Sequence, residues 1–175
     1  SGRGRTSFWT AICCCAVGAA TGGLDAFIAD AKTRKNRLGT GTSVSDNPFL
    51  LLRLANALSD VGNIHRRLHA TWNEIFDCVC RGEQPSRLLR ARARFEAADA
   101  NATSFEAFSE VYSVAGGGAA STKNPLQQFL RDLMTMRNHG TAAREQLATI
   151  YMQSLLEIPP PPFDAASHHA LLFHG

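Results

Sequence analysis

Strand patterning is almost absent from this chain. Hardly any segment alternates apolar and polar residues, and no run rich in Val, Ile and Thr is bounded by turns, which excludes sheet folds. The net charge is only +3, too small to argue for a nucleic-acid partner. A disulfide framework is not expected either. The five cysteines are an odd number, and Cys13, Cys14 and Cys15 are consecutive, so they cannot all pair with one another. They are expected to be small buried apolar side chains in a reducing cytoplasm. Cys78 and Cys80 have no second Cys/His pair nearby at zinc spacing, so no metal site is expected.

Long apolar runs are missing too. Arg3 and Arg5 precede an apolar run ending in small residues, the outline of a signal peptide. Yet the pattern continues through Leu24, Phe27, Ile28 and Ala31 as one helical repeat, and the run from Phe8 to Ala20 is shorter than the roughly 20 apolar residues that span a bilayer. The expectation is an internal helix, no membrane contact, and a chain cut from something longer. What the chain has is 175 residues that are 45% apolar and 19% charged, enough for one domain with a core of its own.

Apolar positions recur at helical spacing in four segments, predicting an all-α domain over residues 1–158 and a Pro-rich tail over 159–175. The first helix spans about 7–35 and ends in the basic loop KTRKNRLGTGTS. The second opens at Asn47-Pro48, a cap followed by a residue preorganised for the first helical position, and runs to about Cys80. The third spans about 85–115, with a bend expected around Asn101 to Ser104, where side chains compete for backbone bonds, and a stop at Gly116, Gly117 and Gly118. The fourth opens at Asn124-Pro125 and ends before Pro159. Long helices joined by short loops predict an up-down antiparallel four-helix bundle.

Read as one wheel, the fourth helix places Leu126, Phe129, Leu130, Leu133, Met136, Gly140, Leu147, Tyr151 and Leu155 on one side. Asp132 and His139 share the opposite polar stripe. That stripe is either a solvated face or the wall of a cleft in which His139 acts as a base. Arg137 and Arg144 fall within the apolar side, so they must reach partners on other helices or another subunit. Gly140, costing about 1 kcal/mol relative to Ala inside a helix, implies a close neighbour there, a packed helix first and a ligand ring second.

The basic loop, the DNPF helix start, the glycine cluster in VYSVAGGGAA, and PLQQFLRDLMTMRNHGTA together resemble the C-terminal helical domain of the acyl-CoA dehydrogenase superfamily. Over about residues 8–157 the chain looks most like the reduced-flavin-dependent monooxygenases, the oxygenase components of two-component systems. The resemblance implies a cytoplasmic homotetramer with reduced FMN or FAD between domains and subunits, a flavin reductase as partner, and a small aromatic substrate. It assigns Gly116, Gly117 and Gly118 to the flavin phosphate of a neighbouring subunit. Phosphate contacts also fall to the basic loop, at Arg34, Lys35 or Arg37, with a merely solvated loop as the alternative. His139 stands where the dehydrogenases commonly carry a catalytic Glu before Gly-Thr, and the resemblance implies that it polarises or deprotonates a phenolic group before oxygen transfer. The sequence departs from the pattern at Gln127-Gln128, where the family often has Gln-Arg.

Other signals carry less. Arg87, Arg90, Arg92 and Arg94 form a basic stripe without aromatic interleaving, which points to a solvated or intersubunit face rather than nucleic acid. His65 and His69 have metal-compatible spacing but lack the Glu of the zinc-protease motif. Two other functions stay open: an acyl-CoA dehydrogenase domain with its base elsewhere, and a non-catalytic helical oligomerisation module.

Overall fold

The structure, a computed structural model, describes residues 5–33 and 47–159. Among these residues it is all-helical, with α1 (Arg5–Thr33), α2 (Pro48–Cys80), α3 (Arg87–Tyr112), α4 (Pro125–Arg137) and α5 (Arg144–Leu155). Short 3-10 turns lie at Gly117–Ala120 and Gly140–Ala142. The Asn-Pro starts work as local chemistry dictates. Asn47 Oδ1 accepts from the Phe49 and Leu50 amides at 3.0 and 3.4 Å, and Asn124 Oδ1 from the Leu126 amide at 3.0 Å. Ser86 Oγ caps α3 through the Leu89 amide at 3.1 Å.

α3 is the central helix and packs on all four others. Its alanines at 91, 93, 97, 98, 100, 102 and 107 are buried, which is what a helix surrounded by neighbours needs. α3 continues as one helix through Asn101–Ser104 to Tyr112. Both side chains are buried while the helix runs through them, so tertiary packing overrides their local preference for turns.

α2 and α3 meet along a polar seam that fixes their direction. Arg53 near the start of α2 pairs with Glu110 near the end of α3 at 3.1 Å, and Glu74 late in α2 pairs with Arg92 early in α3. The two helices are therefore antiparallel. Between those pairs Thr71 Oγ1 donates to the buried Glu96 carboxylate at 2.5 Å. The basic stripe expected on α3 is thus partly neutralised: Arg92 turns to Glu74, and Arg90 donates to the Pro85 carbonyl.

α1 places Cys13, Ala16, Val17, Ala20, Leu24, Phe27 and Ala31 in the core, at helical spacing. Its stretch Ala11–Lys32 is, by length and composition, apolar enough to cross a membrane, contrary to the expectation from the shorter run Phe8 to Ala20. In the fold that apolar stripe is covered by α3 and α4. Glycine makes the contact possible. A Cβ on Gly23 would stand 2.5 Å from Phe108 Cε2, and one on Gly22 would stand 3.2 Å from Phe129 Cε1. The two rings meet edge to face with centroids 6.3 Å apart, so α1 lies directly on an aromatic pair.

The fourth predicted helix is two helices. Phe129 and Arg137 of α4 meet Phe108 and Phe105 of α3, while Arg144 and Tyr151 of α5 meet Asp99 and Phe95. Both therefore run antiparallel to α3 in one direction, as a single rod interrupted at 138–143.

Candidate functional site

The interruption carries the imidazole. α4 ends at Arg137, and the Asn138 amide donates back to Met134 and Met136 carbonyls. His139 follows in the turn, its amide 3.3 Å from the Met136 carbonyl, and the Ala142 amide closes a 3-10 turn on the His139 carbonyl at 2.8 Å. His139 is exposed. The single wheel that aligned Asp132 with His139 does not apply, because the helical register stops before His139. Asp132 and Arg131 are exposed on α4, and neither forms an ion pair among the described residues. The expected close neighbour of Gly140 is also absent. A Cβ there would meet nothing within 4 Å, and the residue lies in the 3-10 turn rather than in a helix interior.

Both arginines that the wheel put on the apolar side find partners on α3. The Arg137 guanidinium lies over the Phe105 ring, 4.9 Å from its centroid. Arg144 approaches Asp99 Oδ1 at 2.6 Å, and Asp99 Oδ2 accepts from Arg67 of α2. One buried carboxylate is thus shared by two half-exposed guanidinium groups from two helices. Sequence reasoning missed Asp99. The available signal was an acid at a helix position otherwise flanked by alanines, in EAADANA.

The glycine cluster stands at the other end of α4. Gly116 has φ +76° and ψ 169°, a conformation that L side chains rarely adopt, and Gly117 opens the 3-10 turn. All three glycines are exposed, and a Cβ on Gly117 or Gly118 would meet nothing within 4 Å. Gly118, Ser121, Lys123 and Asn124 line a depression of about 330 Å³ with Ala26 and Asp30 of α1. An anion seated there would meet the Lys123 charge and the positive end of α4, opposed by the Asp30 carboxylate. From Pro125 to Arg137 α4 spans about 20 Å, so the structure does not bring the glycine turn and His139 together within one chain. Arg34, Lys35 and Arg37 lie outside the described residues.

No group of His, Cys, Asp and Glu able to hold a metal occurs among the described residues. His65 and His69 are exposed on α2 with ring centroids 4.4 Å apart. The cysteines divide differently from expectation: Cys13 is buried, whereas Cys14, Cys15 and Cys80 are exposed, because consecutive helical positions point about 100° apart. Burial, followed by the neighbouring Cys14 thiol, pushes the Cys13 thiol up to about 12.

The described residues thus form an all-helical domain whose last rod breaks at a histidine, with a glycine turn at the rod's start. The chain belongs to the family of acyl-CoA dehydrogenase C-terminal domains, which matches residues 10–144. It is similar to the flavin-dependent monooxygenase oxygenase subunit HsaA of Mycobacterium tuberculosis, with 28% identity over 144 residues, covering 82% of this chain and 36% of that protein. The crystal structure of 3-HSA hydroxylase from Rhodococcus sp. RHA1 superposes with a TM-score of 0.81 and 27% identity over 90% of this chain and 40% of that one. XiaF from Streptomyces, solved in complex with FADH2 and glycerol, has a TM-score of 0.82 at 16% identity over the same shares, a likeness of fold alone. The chain therefore spans little more than a third of the length of the curated relatives it matches.

Proposed function

We propose that this chain forms the C-terminal helical domain of a cytoplasmic flavin-dependent monooxygenase, the oxygenase component that receives reduced FMN or FAD from a flavin reductase. The likeness to oxygenase subunits over most of the chain carries this reading. Bound flavin supplies the two electrons with which one atom of O2 enters an aromatic C–H bond and the other leaves as water. On this reading His139 takes or shares the phenolic proton of the substrate. An imidazole can both accept and return a proton, and the residue is exposed where a cleft with preceding domains can form. No carboxylate occupies position 139, which removes the base that α-proton abstraction from an acyl thioester would use there.

The residues fit a flavin phosphate at the glycine turn. Gly116, Gly117 and Gly118 offer backbone unobstructed by side chains, and Lys123 and the start of α4 supply positive potential. Arg34, Lys35 and Arg37 are the further phosphate contacts of this proposal. We also assign α1, α2, α3 and the broken α4–α5 rod to an up-down four-helix bundle that assembles as a homotetramer. Support for assembly comes from α2, which exposes Phe49, Leu52, Phe76 and Val79. The same exposed residues would serve a purely structural oligomerisation module, the second reading.

One experiment separates these readings. The longer protein carrying this chain is given reductase, NADH, flavin, a panel of phenols and 18O2, and in parallel acyl-CoA with an artificial electron acceptor. The proposal expects 18O in a hydroxylated product and no acceptor reduction. Acceptor reduction without hydroxylation would establish the dehydrogenase instead, and no turnover from a flavin-free oligomer would establish the structural module.

A further inference from the structure

We infer that Asp99 is a positioning residue for the His139 turn, acting through Arg144. This inference rests on the reading of His139 as the catalytic imidazole. The turn is closed by its own backbone bonds on the Met136 and His139 carbonyls, but the helix that follows it lacks a cap. Ala143 precedes α5 without any side-chain cap, and Arg144, the first residue of α5, puts a cation at the positive end of a helix dipole. Glu145 in the first turn offsets part of this, and the rest must come from outside the helix. Asp99 supplies it: its carboxylate, 6% exposed, lies 2.6 Å from the Arg144 guanidinium.

Arg67 of α2 holds the same carboxylate from the other side, so Asp99 is itself fixed by a second helix. Its two oxygens are approached separately, Oδ1 by Arg144 as an ion pair without hydrogen-bond geometry and Oδ2 by Arg67 through a hydrogen bond. On the other flank of the turn, Arg137 lies on Phe105, which stands further along α3 than Asp99. Residues 138–143 are therefore held at both ends on α3, the most buried helix of the fold. The imidazole takes its position from that helix. Removing the Asp99 charge leaves Arg67 and Arg144 facing one another without their shared anion, which loosens the α5 end while the Arg137 end stays held.

The test uses the 175-residue chain labelled with 13C-histidine, the His139 ring signal being assigned by its loss in His139→Gln. In Asp99→Asn the His139 signal should move or broaden, and in Arg144→Gln it should do so while those of His65 and His69, flanking the intact Arg67–Asp99 pair, stay in place. Amide exchange over 139–147 should rise about tenfold, as expected when an ion pair with a buried carboxylate is lost from a local opening equilibrium. Asp99→Glu should restore part of both. Should Asp99→Asn fail to fold, Arg144→Gln removes the same clamp from a half-exposed side chain and leaves the Asp99–Arg67 pair intact. An unmoved His139 signal with unchanged exchange in a folded variant overturns the inference. In the flavin-loaded oxygenase, Arg144→Gln should lower kcat about tenfold with little change in KM, the split expected when a transition-state group is misplaced. Unchanged kcat there, with His139→Gln inactive, also overturns it. Full activity of His139→Gln overturns the catalytic reading alone, and a displaced ring signal still supports the placement by Asp99.

Discussion

Replacing Gly23 by Ala tests the closest contact in the core. The new Cβ would stand 2.5 Å from Phe108 Cε2 and 2.9 Å from both Cδ2 and Cζ, whereas carbon atoms pack best at about 3.5–4.0 Å. Relief requires the ring or α1 to move by about 1 Å. The ring is not free to do so, being fully buried with Tyr112 and Phe129 as ring neighbours. Overpacking of this kind costs about 1–3 kcal/mol, against a gain of about 1 kcal/mol from putting Ala in place of Gly in a helix. The net expectation is a loss of up to about 2 kcal/mol, or up to about 4–8 °C in Tm for a chain of this size.

Gly18 is the internal control, because a Cβ there meets nothing within 4 Å and the residue is exposed on the same helix. Gly18→Ala should raise stability by about 0.5–1 kcal/mol. Gly22→Ala, whose Cβ would meet the half-buried Phe129 ring at 3.2 Å, should fall between the two. Urea unfolding followed by circular dichroism measures all three in one series. If Gly23→Ala proved as stable as Gly18→Ala, α1 would not lie on the aromatic pair as described. Shortening the ring in Gly23→Ala/Phe108→Leu should recover part of the loss, since the two positions share one contact.

Thr71→Val keeps the shape of the side chain but removes the hydroxyl that donates to the buried Glu96 carboxylate, and should cost about 1–3 kcal/mol in the same unfolding assay. Asn124→Ala should cost about 1 kcal/mol by uncapping α4, visible as faster amide exchange in the first turn of that helix. The Cys13 thiol, raised from 9.0 to about 12 by burial, gives a signed pH dependence. Its contribution is fully present below pH 9, and is lost between 9 and 12, because there the unfolded chain releases the proton and the folded chain keeps it. Cys13→Ala should flatten that part of the stability profile, and in the folded protein a maleimide should label Cys14, Cys15 and Cys80 well before Cys13.

The starts of α2 and α4 were legible because their chemistry is local: Asn and Pro stand next to each other and the cap bonds reach only two or three residues ahead. The break before α5 was not. Apolar periodicity passes straight through it to Leu147, which is buried as the wheel requires, so the pattern alone suggests one helix. The contacts at the break are long-range, with Arg144 meeting Asp99 and Arg137 meeting Phe105 on another helix. His139 was legible as a residue of interest, but its placement in a turn came from those partners. Gly22 and Gly23 were silent in the sequence because their role depends on rings that arrive from α3 and α4.

The separation of the two candidate groups sets a final prediction. His139 and the glycine turn lie at opposite ends of α4, about 20 Å apart, too far for one flavin mononucleotide to contact both groups in the same chain. If both serve the proposed site, the phosphate of one flavin rests on one copy and the imidazole comes from another. Gly118→Asp puts a negative charge beside the proposed phosphate site, and an added Cβ there meets no atom within 4 Å, so folding should tolerate it. In the longer enzyme, Gly118→Asp and His139→Gln should each abolish hydroxylation alone. Dissociated, mixed and reassembled in equal amounts, they should regain about a quarter of the wild-type rate, because half of randomly formed two-copy units are mixed and each mixed unit contains one intact site of two. Recovery of nothing would mean that the two groups act within one chain, which a single copy could achieve only with a ligand long enough to follow α4 from end to end.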